Sequence, residues 1–247
     1  MAELTQPEPA TEQRPSLADS AYAQLRRQIL EVELWPGATF SENEIAERLE
    51  LGKTPIREAL LRLRLEGLVA VRPRAGYEVA PVTLRGARDS LELRGALDAE
   101  AASRACEQPA AGEGLGILNR ELLAEAGEAV AGRLEADQRF HLAVGAAGGN
   151  QALAEAVSRS FTEYLRLAHL AAAIDAASLP PLPDHTELVD AIAAGEAARA
   201  RELARGEARD AELRIVQALI SSESVATTNV LPAASANKFY LDIPKRS

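Results

Sequence analysis

The chain has 247 residues, 47% of them apolar but only 4% aromatic, and carries a formal net charge of −10. That length supports one large domain or two modest ones, and an alanine- and leucine-rich composition points to a mostly helical protein packed through small and aliphatic side chains. The lone cysteine, Cys106, excludes an intrachain disulfide, fits a reducing cytoplasm and reads as a small core side chain. The first eighteen residues lack the apolar centre of a signal peptide, and no uninterrupted apolar run approaches about 18 residues, so a soluble protein with no membrane association is expected.

Residues 1–15 read as a flexible tail. From about Ser16 the chain reads as a helix through AYAQLRRQILEVEL, ending at Trp35-Pro36-Gly37, because proline disfavours helix in the residue before it. In SENEIAERL, Ser41 and Glu44 have capping-box spacing ahead of Ile45, Ala46 and Leu49, which starts a second helix. Then Gly52 breaks the chain, Thr54 is the expected N-cap and Pro55 the first helical residue of a third helix running to Gly67. Ile56, Leu60 and Leu63 form its core face, while Arg57 and Arg64 lie on another side. A further stripe of Leu61, Leu65 and Leu68 is expected to pack on the wing or the next domain. Short β-type runs around Arg72–Gly76 then read as a hairpin. This order is that of a winged helix-turn-helix. The net acidity argues against a nucleic-acid partner, but residues 51–85 hold seven Lys or Arg and three Glu, a local +4, leaving −14 elsewhere. Affinity for phosphate depends on local charge, so this basic island suits DNA, although a solvated charged face is the plainer reading.

The stretch EIAERLELGKTPIREALLRLRLEGLVAVRPRAGYEV resembles the DNA-binding domain of the GntR family of bacterial transcription regulators over residues 20–80, with the TPIREAL core, the EGLV helix end and the wing glycine in register. The resemblance implies operator contacts from Lys53, Thr54, Arg57, Arg74 and Gly76. Two positions depart: Lys53 stands where the family usually has arginine, and Asn43 where an arginine is frequent. Lysine reproduces bidentate guanine recognition less well than arginine, which bears on operator sequence and affinity.

From Leu84 to about Ser222 the chain reads as about six helices, with breaks at Gln108–Gly116, around Gly127–Gly132, at Gly148-Gly149, across SLPPLPD and at Gly195. GEGLG at Gly112–Gly116 has no preceding strand and reads as a helix connection rather than a phosphate loop. Asp137 and His141 in DQRFHLAV are four apart and share a helix face. They are either a helix-surface pair, with Arg133 within reach of the carboxylate, or half of a metal site. LELRGALDAEAASRA, LEADQRFHLAVGAAGGNQAL and HTELVDAIAAGEAARARELARGE resemble the helical FCD effector-binding domain of the FadR-type branch of the same family over roughly residues 86–220, most specifically in the D-x3-H followed by a glycine-rich break and Asn150.

Metal-binding members of that branch present an aspartate and three histidines to an interior pocket. The resemblance places Asp137, His141 and His185 at the first three positions and Glu207 at the fourth, where histidine is expected. Two imidazoles and two carboxylates form a complete N2O2 set for a divalent Zn, Mn, Fe or Ni ion, and a metal site is the expectation. His169 reads as an ordinary helix-face residue. Arg94 reads either as an exposed arginine paired with Asp98 one turn on or, by the resemblance, as a cavity arginine that holds a small carboxylate or sugar-acid effector together with the metal; Arg166 is a weaker candidate of the same kind.

The sequence thus implies a mostly α protein: residues 1–15 a tail, 16–80 a winged helix-turn-helix, 84–222 an all-helical antiparallel effector-binding and dimerising domain, and 223–247 a second flexible tail. The expected function is a cytoplasmic, homodimeric, ligand-responsive regulator that binds a pseudo-palindromic double-stranded operator. The competing classes are a metal-dependent enzyme, for which no nucleophile or general-base pair stands out, and a helical scaffold without ligand.

Overall fold

A computed structural model of the chain describes residues 16–108, 110–127, 129–176 and 183–221; both expected tails and most of the proline-rich break lie outside these. The N-terminal unit consists of α1 (Leu17–Leu30), β1 (Thr39–Phe40), α2 (Glu42–Leu49), α3 (Lys53–Leu65), β2 (Val69–Arg72) and β3 (Gly76–Val79). Ser16 and Ser41 close capping boxes with Asp19 and Glu44, each satisfying orphan N–H groups at a helix start. α1 ends at Leu30, earlier than the Trp35-Pro36 signal implies. Val32 there takes φ 59°, a costly conformation for a β-branched residue, while Val32 and Leu34 are both buried. The helix yields to tertiary burial before the proline is reached.

α3 is capped by Gly52, not Thr54, so Lys53, Thr54 and Pro55 occupy its first turn. Proline is tolerated anywhere in that turn because its missing N–H has no intrahelical acceptor. Ile56, Ala59, Leu60 and Leu63 are buried, and Leu68 beyond the helix joins them, but Leu61 and Leu65 are solvent-exposed. The expected second apolar stripe is therefore not packed, because α1 covers only one side of α3.

The hairpin gains a third strand that its two-residue length hides in the sequence. The order is β1-β3-β2, all antiparallel, with Phe40 opposite Tyr77 and Val71 opposite Tyr77 from the other side. Gly76 makes this possible: at φ 89°, an added Cβ would lie 2.5 Å from the Phe40 carbonyl oxygen. Gly76→Ala is expected to destabilise the N-terminal unit by about 1–3 kcal/mol through strain at a left-handed position and this clash. Chemical denaturation of the variant checks this, and an unchanged midpoint would mean that the wing does not pack on β1 as described.

The second unit holds α4 (Leu84–Ala105), α5 (Ala111–Glu125), α6 (Val130–Ala147), α7 (Gln151–Ile174), α8 (Thr186–Ala193) and α9 (Ala197–Ser221). Thr83 and Asn150 cap α4 and α7 by accepting the N–H of Gly86 and Leu153. GEGLG is not a connection but lies within α5. A Cβ on Gly112 would come within 2.5 Å of Ala193 Cβ, so glycine there lets α5 approach α8. Cys106 is half-buried at the end of α4, beside the Ala191 carbonyl. Among the described residues two apolar clusters form, one per unit, but Val32 and Val82 belong to the helical unit's cluster and Trp35 packs against it. The N-terminal unit is thereby seated on the bundle. Among the described residues, no helix is long and apolar enough to cross a membrane.

Candidate functional site

Five helices converge inside the bundle. α6 presents Asp137 and His141 on one face, one turn apart, and His185 sits at the N-cap of α8. All three are buried, and each places one donor atom within 4.8 Å of the others; among the described residues they form the one such group. His141 Nε2 lies 3.6 Å and His185 Nε2 3.4 Å from the same oxygen, Asp137 Oδ1. Ligand atoms held at 2.0–2.2 Å around a tetrahedral ion stand about 3.3–3.6 Å apart, so these separations fit a small divalent cation. His185 Nε2 and Asp137 Oδ2 are buried without a hydrogen-bond partner, a costly state that a cation would relieve. The Phe140 ring stacks on His185 at 4.0 Å and holds its plane.

The outward nitrogens of both rings are backed by carboxylates. His185 Nδ1 lies 3.0 Å from Glu207 Oε2 on α9, and His141 Nδ1 lies 3.6 Å from Asp98 Oδ2 on α4. Glu207 is not among the clustered donor atoms: it meets His185 at Nδ1, the ring nitrogen away from Asp137. Carboxylates in such positions orient metal-ligating imidazoles and raise their basicity. Asp98 enters the sequence reading only as a local partner of Arg94; its acidic type, at i+4 from that arginine on a helix facing the bundle, was the available signal.

Arg94 is 2% exposed and bridges the carboxylates. Its Nε lies 3.1 Å from Asp98 Oδ2 and its Nη2 3.7 Å from Asp137 Oδ2. The guanidinium carbon sits 3.8 Å from the Tyr164 ring centroid and 4.3 Å from that of Phe161, both on α7. Arg94 pairs with Asp98 but is not the exposed arginine of the plainer reading: it faces the interior. Burial opposes ionisation of Asp137, but the His141 and His185 imidazoles facing it and the charge of Arg94 outweigh that and hold the carboxyl well below its ordinary range. Burial likewise opposes protonation of His185, yet Asp137 and Glu207 push its pKa up to about 9. Burial and the nearby Asp137 carboxylate raise the Tyr164 hydroxyl above its usual range, so it stays a neutral phenol.

Arg166 does not reach this site. Its Nη2 donates to the Ala80 carbonyl at 2.6 Å, just past the wing, and Nη1 lies near Glu163. The physical reason is helical phase: one turn after Thr162, it points toward the N-terminal unit while Phe161 and Tyr164 point inward. His169 lines a cleft of about 500 Å³ between α1, α6 and α7, and burial there lowers its pKa.

On the N-terminal unit, Lys53, Thr54 and Arg57 are exposed along the start of α3, where no side chain caps the first N–H groups. Arg57 Nε lies 2.7 Å from Glu42 Oε2, and the Tyr77 hydroxyl donates to the other Glu42 oxygen at 3.3 Å. Arg74 sits at the wing tip with φ 67°. Gly76 starts β3, directly after the wing tip.

Residues 17–79 match the bacterial regulatory proteins of the gntR family, and residues 89–207 match the FCD domain. The chain belongs to the gntR family. A transcriptional regulator from the TAR-I ttuE-ttuC' intergenic region of Agrobacterium vitis is 32% identical over 133 residues, covering 49% of this chain and 75% of that protein. The Nta operon transcriptional regulator of Aminobacter aminovorans is 34% identical over 136 residues, 54% of this chain and 64% of that protein. A regulator in an unstable DNA locus of Streptomyces ambofaciens is 43% identical, but the match spans only 33% of its length. The structure of E. coli McbR/YncC superposes with a TM-score of 0.64 at 21% identity, covering 83% of this chain and 98% of that one, which establishes a shared fold. The three sequence relatives are named as transcriptional regulators.

Proposed function

We propose that the chain is a ligand-responsive transcription regulator whose N-terminal unit binds an operator and whose helical unit holds a divalent metal ion and, against it, a small organic acid. The observation that carries the reading is the convergence of Asp137, His141 and His185 donor atoms in a buried cluster whose two rings are both backed by carboxylates. Asp137, His141 and His185 are the protein ligands in this reading, with Asp98 and Glu207 orienting the two rings. When bound, the ion supplies a positive centre with open positions for an oxygen ligand. Arg94, whose guanidinium reaches Asp137, is the group that would meet the carboxylate of a small carboxylic or sugar acid. A homodimer is expected to present two α3 helices to a pseudo-palindromic site in cytoplasmic DNA. The acid acts by preferring one arrangement of the chain.

Glu207 separates a ligand from a positioning role. Glutamine can still accept a hydrogen bond from His185 Nδ1, so Glu207→Gln is expected to keep metal affinity within a few-fold, whereas Glu207→Ala loses about 10–100-fold. Calorimetric titration with Zn²⁺ or Mn²⁺ checks this; a large loss in the glutamine variant would return Glu207 to the ligand set.

For the DNA face, Arg57→Ala is expected to cost about 1–3 kcal/mol of operator binding if the side chain reads a base edge. Lys53→Ala should weaken all duplexes alike and reduce the salt slope by about one. Thr54 and Arg74 flank these groups at the helix start and wing tip and fit phosphate contacts. Unchanged gel-shift affinity in both variants would remove α3 as the recognition helix.

A further inference from the structure

Helix α7 touches both halves of the molecule within about one and a half turns. Phe161 and Tyr164 line the buried site: the Phe161 ring lies 5.2 Å from that of His141, and both rings pack on the Arg94 guanidinium. Thr162 and Arg166 take the other side. Thr162 Oγ1 accepts from Arg26 Nη2 at 2.9 Å, and Arg26 Nε pairs at 3.1 Å with Glu66, the C-cap of α3. Arg166, 2% exposed, donates to the Ala80 carbonyl. Ala80 directly follows β3, and its own N–H donates to the Leu68 carbonyl at 2.9 Å, so this one residue is tied to the wing hairpin and to α7 at once.

A guanidinium is costly to desolvate, and burying one on a backbone carbonyl of the other unit makes a short, directional strut rather than a general apolar contact. A helical turn moves nearly as a unit, because its side chains share one hydrogen-bonded backbone. Displacing Phe161 or Tyr164 therefore displaces Thr162 and Arg166. Each of these ends on an element that carries the DNA-facing surface: one on α3 by way of Arg26 and Glu66, the other on the wing.

We propose that α7 is the lever that transmits the state of the Asp137–His141–His185 site to the recognition helix and wing, with Arg26–Thr162 and Arg166–Ala80 as its two attachments. The meaning of the signal rests on the function proposed above; the lever itself does not. Its demonstration requires that a change at the site bias the position of the N-terminal unit, and that removing the attachments abolish that bias while leaving the site intact.

Amide hydrogen exchange of Ala80 in the full chain reads the lever directly. Two perturbations are applied at the site: saturating Zn²⁺ alone, and Phe161→Leu without metal. In the otherwise wild-type chain each is expected to change Ala80 exchange by about fivefold or more. In an Arg26→Gln, Arg166→Gln double variant the same perturbations should change it less than about twofold relative to that variant's own baseline, a double-mutant cycle between site and strut. Arg166→Lys, which keeps a donor near the carbonyl, should retain the response. If the double variant fails to fold, Thr162→Val removes one attachment alone and should reduce the response. An undiminished response in the variants lacking attachments, or no response at Ala80 to either perturbation in the parent chain, overturns the lever. If Zn²⁺ fails to bind while Phe161→Leu still shifts Ala80, the metal reading falls and the lever stands.

Discussion

Exchange of Arg94 for methionine is expected to destabilise the metal-free protein by about 3–5 kcal/mol while tightening, not weakening, its hold on a divalent cation. The guanidinium is buried between Asp98 and Asp137, and methionine fills similar space without the charge. Breaking a buried ion pair by removing one member is strongly destabilising, and here two carboxylates lose a cation together. For a chain of this size that loss lowers the melting temperature by roughly 10 °C. The same loss makes the cluster more negative, so added Zn²⁺ or Mn²⁺ should bind more strongly and restore part of the stability. Any carboxylate effector loses its anchor, so operator release by organic acids should vanish even with metal present. Thermal melts with and without metal check the first two statements. A melting temperature within a degree of wild type would mean that Arg94 is not the cation balancing this cluster.

Asp137→Asn should have the larger effect on the metal. Both Nε2 atoms face one oxygen of this carboxylate, and the two imidazoles and Arg94 keep it ionised against full burial. Zinc sites of four ligands contribute on the order of 10–16 kcal/mol, so loss of one charged ligand costs about 3–4 kcal/mol, or roughly 100–1,000-fold in affinity. Asparagine preserves shape, so the fold should persist and the effect should appear in calorimetric titration rather than in secondary structure. An affinity within tenfold of wild type would place the ion elsewhere or exclude it.

What the sequence makes legible depends on the range of the interaction concerned. Ser41 with Glu44 and Asn150 after Gly148-Gly149 are local signals, and the helix starts fall where they point. The D-x3-H pair on α6 is legible because helical spacing alone brings Asp137 and His141 to one face. Features set by distant partners are not legible in this way. Gly112 suits its place within α5 because α8 packs there, where a Cβ would meet Ala193, far along the chain. β1 exists only through its pairing with β3. Glu207 and Arg166 show the same limit at the site. Residue type and register bring both toward it, but only the packing of α9 and the phase of α7 put Glu207 behind His185 and turn Arg166 to Ala80. Asp98 shows the converse. An acidic residue one turn from a buried arginine looks like a local pair, and its reach to His141 depends on how α4 packs on α6.

Metal stoichiometry of the purified full chain tests the central claim most directly. After exhaustive treatment with chelator and dialysis against Zn²⁺ or Mn²⁺, element analysis should find one ion per chain in the wild type and none in the folded His141→Ala, His185→Ala double variant. A wild-type chain that takes up no ion, or a double variant that retains one, would contradict the assignment of Asp137, His141 and His185 as a metal centre.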